Sequence, residues 1–465
     1  MYYRVKDNFL LRGWKLLPFA LYDSDSHKTH FFDQKTFLMI LKCGGERDFE
    51  AQNLPPEDQH RLEGLLKRGI VEKMARPRRL NKKQEYKFFP SRYMSQAQWS
   101  ITGRCNYKCK HCFMSAPEAR FGELCLDQMK KIVNELKKCG IYNVSLTGGE
   151  PLVRNDFFEI VDELSKADIN ILSIYTNGRL ITADLLEKIR SKNLRPKIHM
   201  SYDGKGFHDW IRGVKGAQEA VINAFRICQK MNFETTAQMC IHKKNKDAFC
   251  ETMLELANLG CKRLKVSPAV SLGNWSKISS EYALSTKQVY DCYLEYIRQF
   301  FENKMPISLM LDGCFLCEKK SVKYSIPYTK HGNRVDDLQR LVCEHARNSL
   351  YISPNGDVLP CVVLSNTTFK NKFAKIPNTK LEDILSDSYY MKVINYRLKD
   401  YFKHNSECAN CRHRFLCGGG CRGLAVANGG SDYFAKDLAA CFFFKNLYHE
   451  KVKSVAEIAI KKLNI

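Results

Sequence analysis

Between Cys105 and Cys112 the chain sets three thiols in a C-x3-C-x2-C array, and no other feature restricts its folding as tightly. The array follows an apolar, β-prone run, Gln96 to Thr102, so all three sulfurs crowd into one short loop at a strand's end. Four cysteines saturate a zinc ion or an iron–sulfur cube. Three on a [4Fe–4S] cube leave one iron open to a ligand from outside the protein. A zinc knuckle completed by a distant ligand, or three buried thiols, are the alternatives this spacing leaves open.

From Gln96 to about Phe301, apolar strands alternate with segments of helical period. Strands are predicted at Trp99–Thr102, Asn143–Thr147, Ile171–Thr176, Lys197–Tyr202, Glu234–Met239 and Arg263–Val266. Helices are predicted near Leu126–Lys138, Asp156–Lys166, Ala183–Ser191, Ala217–Met231 and Asp247–Leu259. Six β/α units of this length predict an α/β fold, a parallel sheet with right-handed crossovers curved into a partial (β/α)6 barrel. Ligands of such sheets bind at the carboxyl ends of the strands. The second strand ends in Thr147-Gly148-Gly149-Glu150-Pro151, the third in Thr176-Asn177-Gly178, and the fourth in Ser201-Tyr202-Asp203-Gly204, followed by Arg212-Gly213. Paired glycines let backbone approach a ligand closely, and Glu150 offers an acceptor for a cation. Asn-Gly and Asp-Gly also serve plain turns.

Past the barrel the cysteines return. Cys343, Gly356 and Cys361 bracket a predicted hairpin, Leu350–Ser353 with Val358–Cys361, turned at Pro354-Asn355-Gly356. Cys408, Cys411, Cys417 and Cys421 follow in C-x2-C-x5-C-x3-C spacing, then Cys441. Cys314 and Cys317 form a C-x2-C pair in a Gly-containing loop just upstream. Twenty cysteines gathered in short-spaced groups, in a long chain without a secretory signal at Met1 to Phe19, read as metal ligands and not disulfides. A pair of structural zinc sites is the alternative. The scattered cysteines read as core filling, with Cys240 at the end of the fifth strand the one expected to face the cavity.

The Cys105–Cys112 loop closely resembles the signature of the radical S-adenosylmethionine (SAM) enzymes, and the seven-cysteine order Cys343 to Cys441 closely resembles their SPASM extension. The resemblance implies a cluster on Cys105, Cys109 and Cys112 whose open iron is chelated by SAM. Gly148, Gly149 and Glu150 would hold the SAM ammonium, Thr176, Ser201 and Asp203 would contact SAM, the last two at its ribose or carboxylate, and Arg212 would pair with the carboxylate. Cys408, Cys411, Cys417 and Cys441 would ligate a distal auxiliary cluster. Cys343, Cys361 and Cys421 would hold three irons of a proximal one; either Cys314 or Cys317 supplies its fourth ligand, the favoured alternative, or an open iron there takes a substrate thiolate. Three [4Fe–4S] clusters and SAM are the cofactors so implied. A flavodoxin or ferredoxin would supply electrons, and a 5′-deoxyadenosyl radical would take a hydrogen from carbon. The expected product is a thioether or carbon–carbon cross-link in a ribosomally made precursor peptide. Peptide epimerisation and sulfatase-type protein maturation are rival activities, and an iron–sulfur nucleic-acid-binding regulator is a rival of another class.

Residues 1–93 read as a separate unit: a hairpin, Pro18–Tyr22 with Lys28–Phe32, two amphipathic helices, Gln34–Lys42 and Pro56–Lys67, and an extended piece, Ile70–Lys73. This winged-helix-like order, with Leu11-Arg12-Gly13-Trp14 and Leu17-Pro18, resembles the domain that captures leader peptides by strand addition at a hairpin edge. Residues 94–305 would be the barrel, 306–445 the SPASM domain and 446–465 a terminal helix. A formal charge of +24 asks for an acidic partner, either a redox protein, a peptide or nucleic acid. The unit also reads as a stabilising extension, and the basic run Arg76, Arg78, Arg79, Lys82, Lys83 would suit DNA, although the peptide reading is favoured. No apolar run approaches a membrane span, so a cytoplasmic protein is expected.

Overall fold

The computed structural model describes residues 1–48, 50–116, 122–329, 335–429 and 432–463. The chain opens with strands β1 (Tyr2–Val5), β2 (Phe9–Lys15), β3 (Leu17–Asp23) and β4 (Lys28–Phe31). Helix α1 (Gln34–Lys42), strand β5 (Gly44–Asp48), helix α2 (Pro56–Lys67) and strands β6 (Val71–Met74) and β7 (Lys87–Arg92) complete a sheet-rich module. Its strands form two sheets, ordered β5-β1-β6 and β4-β3-β2-β7. The hairpin read from the sequence is β3 with β4, Ala20 opposite Phe31 and Asp23 opposite Lys28. Asp33 caps α1 by accepting from the Thr36 N–H, and proline opens α2 where a missing N–H removes no bond. β7 carries Pro90 and lies at a sheet edge, as a residue without a donor requires.

The module has a core of its own, including Val5, Leu11, Leu21, Ile40 and Leu62. It is fastened to the rest by Trp14, which is wholly buried, stacks on Phe89 and donates from Nε1 to the Cys139 carbonyl at 3.0 Å. Beside it Tyr22 stacks on Tyr142 at 4.3 Å, and Arg12 Nε donates to the Tyr142 hydroxyl at 2.5 Å. The Leu11–Trp14 phrase is thus a docking seam.

One eleven-stranded sheet organises everything after it. Its parallel part runs, in chain order, through β8 (Gln96–Ser100), β9 (Asn143–Thr147), β10 (Asn170–Thr176), β11 (Lys197–Ser201), β12 (Thr235–Ile241), β13 (Arg263–Pro268) and β14 (Ser308–Leu311). The crossovers are α3 (Leu126–Lys138), α4 (Phe157–Lys166), α5 (Ala183–Arg190), α6 (His208–Arg212) with α7 (Ala217–Lys230), and α8 (Phe249–Asn258). The helix Thr286–Glu302 then leads into β14. In α3, Met129, Ile132, Val133 and Leu136 recur at helical spacing and are buried, while Lys130, Lys131 and Asn134 face water. The short strands β15 (Phe315–Cys317) and β16 (Tyr324–Ser325) extend one edge antiparallel. At the other edge β17 (Ser349–Ile352) pairs parallel with β8, Ser349 opposite Gln96 and Ile352 opposite Trp99, and β18 (Val358–Leu359) completes the expected hairpin. The carboxy-terminal cysteine region is therefore built onto the strand that launches the first cysteine loop. Among the described residues no helix is long and apolar enough to cross a membrane.

Candidate active site

The carboxyl ends of β8 to β12 surround a cavity of about 220 Å³. Eight of the residues expected there line it: Cys105, Cys109, Cys112, Gly148, Gly149, Thr176, Ser201 and Arg212. The loop carrying the cysteines is held against β9 by two backbone bonds, Gly149 N–H to Thr102 and Glu150 N–H to Arg104, each 2.9 Å. The glycines permit this: a Cβ on Gly148 would lie 2.4 Å from the Thr102 carbonyl oxygen, and one on Gly149 2.2 Å from that of Arg104. Close approach is thus to the cysteine loop itself. From the other side Asn274 donates its backbone N–H to Cys112 O at 2.9 Å and its Nδ2 to Cys109 O at 3.2 Å.

Burial pushes all three thiols up, Cys105 to about 12, and for Cys105 the neighbouring Cys109, Glu150 and Cys112 add to this. Donors converge on the same sulfurs. Tyr107 N–H reaches Cys105 Sγ at 3.4 Å, Ala116 N–H reaches Cys112 Sγ at 3.4 Å, and Arg212 Nη1 stands 3.9 Å from Cys109 Sγ. Sulfurs met by N–H groups are set up to accept, as thiolates do, and a bound cation offsets the burial. The donor set therefore fits a three-cysteine iron–sulfur cube. Among the described residues no three His, Cys, Asp or Glu side chains gather as a single-ion site, whereas a cube spreads its thiolates over separate irons.

Two expected contacts lie behind the cavity wall. Glu150 is wholly buried and accepts from Thr176 Oγ1 at 2.8 Å and from the N–H groups of Asn177 at 2.7 Å and Leu152 at 3.2 Å. Burial pushes its carboxyl up to about 7 against these bonds. Asp203 does not face the cavity either. Its Oδ2 takes Arg212 Nε at 2.8 Å and meets His208 Nδ1 at 3.0 Å, and its Oδ1 takes the Cys240 N–H at 2.9 Å. Burial alone would raise the Asp203 carboxyl, but the Arg212 guanidinium and His208 hold it well below the ordinary carboxylate range. Asp203 thus positions Arg212, the only one of the two that reaches the cavity. Cys240 is buried behind the same wall and is not among the cavity's lining residues.

Sequence reasoning did not single out His111, Tyr175, His199 and Gln238, which also line the cavity. Tyr175 stacks on His199 at 4.3 Å, and burial lowers His199 to about 4, leaving it neutral near pH 7. The signal for Tyr175, His199 and Gln238 is the strand period, which turns each toward the cavity from β10, β11 and β12, whereas His111 sits within the cysteine loop itself. Among the described residues, buried His111 Nδ1 has no hydrogen-bond partner, one polar atom left for whatever fills the space.

Four auxiliary cysteines, Cys408, Cys411, Cys417 and Cys441, line one recess. Tyr401 Oη lies 3.2 Å from Cys408 Sγ, and the His413 N–H reaches Cys411 Sγ at 3.4 Å. Cys343, Cys361 and Cys421 are mutual neighbours: burial raises Cys421 to about 12, and Cys361 and Cys343 add to it. The upstream pair is split. Cys314 is buried at the β14–β15 turn, where Tyr328 packs on Gly313 within electrostatic reach of Cys421. Cys317, three residues down the strand and so about 10 Å nearer the sheet's opposite end, faces the carbonyls of Ser321 at 3.1 Å and Lys323 at 3.5 Å. Asn366, just past Cys361, donates to the carbonyl of Phe113 and so ties the proximal group to the first loop.

The radical SAM superfamily profile matches residues 99–257, and the SPASM iron–sulfur cluster-binding domain profile matches 343–412. An AdoMet-dependent heme synthase of Methanosarcina barkeri is 24% identical over 73% of this chain and 94% of its own. The antilisterial bacteriocin subtilosin biosynthesis protein AlbA of Bacillus subtilis is 24% identical over 68% of this chain and 66% of its own. In fold, Streptococcus suis SuiB bound to its precursor peptide SuiA superposes with a TM-score of 0.64 at 15% identity, covering 94% of this chain and 99% of SuiB. That coverage includes most of the amino-terminal module. The chain is a radical SAM enzyme that carries a SPASM iron–sulfur cluster-binding domain.

Proposed function

We propose that this enzyme modifies a ribosomally made precursor peptide, closing a thioether or carbon–carbon cross-link after hydrogen abstraction from carbon. Cys105, Cys109 and Cys112 would hold the SAM-binding cluster. Gly148, Gly149, Thr176, Ser201 and Arg212 would surround SAM, with Glu150 and Asp203 fixing Asn177 and Arg212 from behind. Cys408, Cys411, Cys417 and Cys441 would hold one auxiliary cluster, and Cys343, Cys361 and Cys421 the other, closed by Cys314. When bound, these groups and SAM supply one electron and a carbon-centred radical able to remove hydrogen from unactivated carbon. The protein's share is alignment and exclusion: Arg212 orients a carboxylate with its planar fork, and neutral His199 on Tyr175 forms a water-poor wall.

The observation that carries the cross-link is the placement of the auxiliary cysteines. Bond closure on a carbon radical sheds an electron, and β17 and Asn366, which flank Cys361 in the chain, are bonded to β8 and to Phe113 of the loop that lines the cavity. A flavodoxin or ferredoxin would provide the initial electron. Likeness to AlbA and to peptide-bound SuiB supports a peptide substrate; likeness to heme synthases supports a second reading, a tetrapyrrole substrate. Anaerobic incubation of the reconstituted enzyme with reductant, SAM and the short peptide encoded beside it should remove two hydrogens from that peptide. Unchanged mass with solvent deuterium incorporated would show epimerisation instead, and SAM-dependent formation of heme from a tetrapyrrole precursor would establish the second reading.

A further inference from the structure

A second cavity, of about 600 Å³, lies between the amino-terminal module and the end of the barrel remote from the cysteines. We propose that it binds an extended, acidic segment of the peptide substrate, with Arg12, Lys82, Lys87 and Lys137 receiving its carboxylates. This rests on the peptide reading above and adds where an unmodified part of that peptide is held.

The cations around this cavity outnumber their counter-ions. Arg12 is 6% exposed and has no carboxylate partner among the described residues. Its bonds go to the Tyr142 hydroxyl and the carbonyls of Leu11, Glu85 and Lys83, which use four of its five N–H donors. A buried guanidinium with hydrogen bonds but no opposite charge is an incomplete arrangement. Lys87 stands opposite Arg12 across the β2–β7 pair. Partial burial, then the like charges of Arg12 and Lys137, lower its ammonium below the ordinary lysine value. The carboxylates at the rim are already engaged: Asp7 with Arg4 and Arg78, and Asp168 with Lys83 at 2.7 Å. Of the described carboxylates that line the cavity, Glu85 alone stands against the surplus. The basic run noted in the sequence ends here, at Lys82 and Lys83.

The occupant's shape follows from the walls. Leu10, Tyr86, Ile141 and Leu194 are interleaved with the cations, and the space is far larger than a single anion needs. A chain bearing both carboxylates and apolar side chains fills it. β9 begins beside Tyr142 in this cavity and ends at Thr147 in the other, so the two are about 16 Å apart along the strand. The bound segment is therefore distinct from the modified one, by at least about five extended residues.

The test titrates the cluster-loaded full chain, anaerobically, into a fluorescein-labelled peptide of alternating Glu and Leu, read by anisotropy. Wild type should bind, more weakly as salt rises. The K87E/K137E double variant should lose about tenfold in affinity. K319E/K320E, with the same change in net charge on a remote surface, should bind as wild type does. No binding by wild type, equal loss in both double variants, or equal binding of a Gln-for-Glu peptide overturns the proposal. Displacement of the peptide by equimolar inorganic phosphate would make this a small-anion site and overturn it too. The readout needs no turnover, so a chain that binds this peptide yet leaves the precursor's mass unchanged overturns only the functional reading. A modified precursor with unaltered KM in K87E/K137E overturns only this site.

Discussion

Asp203→Asn isolates the one buried carboxylate that holds Arg212 at the cysteine loop. Asp203 is fully buried and Arg212 is 7% exposed, so removing the charge from one leaves the other desolvated and unpaired, a loss of ~3–5 kcal/mol. Asparagine keeps an oxygen for the Cys240 N–H, which confines the damage to the 2.8 Å bonds with Arg212 and the 3.0 Å contact with His208. Among the described residues, the side-chain anchor then left to Arg212 is Cys109 Sγ at 3.9 Å. Anaerobic urea unfolding followed by far-ultraviolet circular dichroism should show the stability loss. Equilibrium dialysis with labelled SAM should show affinity lower by about 10- to 100-fold, equivalent to ~1.4–2.8 kcal/mol. D203N/R212Q supplies the cycle: with both charges gone no orphan remains, so the double variant should be more stable than the sum of singles predicts, by ~1–3 kcal/mol. Strict additivity, or D203N with wild-type midpoint and SAM affinity, refutes the positioning role.

Gly149→Ala puts a methyl 2.2 Å from the Arg104 carbonyl oxygen, where only backbone can yield, so iron per chain after reconstitution should fall with overall folding retained; full loading counts against the docking role of the glycines. In Tyr401→Phe the hydrogen bond to Cys408 Sγ disappears; because Asn405 Nδ2 donates to Tyr401 Oη at 3.3 Å, that hydroxyl's own proton points at the sulfur. The distal cluster's midpoint potential, followed by electron paramagnetic resonance, should move to more negative values, and an unmoved potential refutes the bond. Glu150 has its carboxyl raised from 4.5 to about 7, so its stabilising contribution is complete below 4.5 and is lost as pH rises through about 7. In cluster-free chain, wild type should therefore lose roughly 3 kcal/mol relative to E150Q between those limits, read as the difference in urea midpoints at the two pH values. A pH-independent difference refutes it.

What could be read in the sequence was what short stretches decide for themselves. α1, α2 and α3 have the limits read from apolar spacing and their first-turn residues. The strand ends carrying Thr147, Thr176 and Ser201 were legible because strand and helix periods alternate cleanly there. The buried place of Asp203 was not legible, for a physical reason. Asp-Gly after a strand has the composition of an exposed turn, while its three partners, Arg212, His208 and Cys240, come from later elements that local pattern does not place. The Cys314 and Cys317 pair, similarly, reads as one ligand loop, yet hairpin geometry sends the two thiols toward opposite ends of a strand.

The largest omission is also the most consequential for mechanism. Ser349–Ile352 pairs with Gln96–Trp99 across some 250 residues, a register that no periodicity announces. Through it, Tyr351 Oη meets Ser100 Oγ at 2.8 Å in the core, and Asn366 bonds Phe113 at the cavity's edge. The first cysteine loop and the Cys343–Cys361–Cys421 group are thereby fixed to one hydrogen-bonded strand pair and not to separately moving domains. On the proposed function, a radical formed over one and an electron taken up by the other would require a constant separation. Backbone pairing supplies that constancy more rigidly than side-chain contact between domains does.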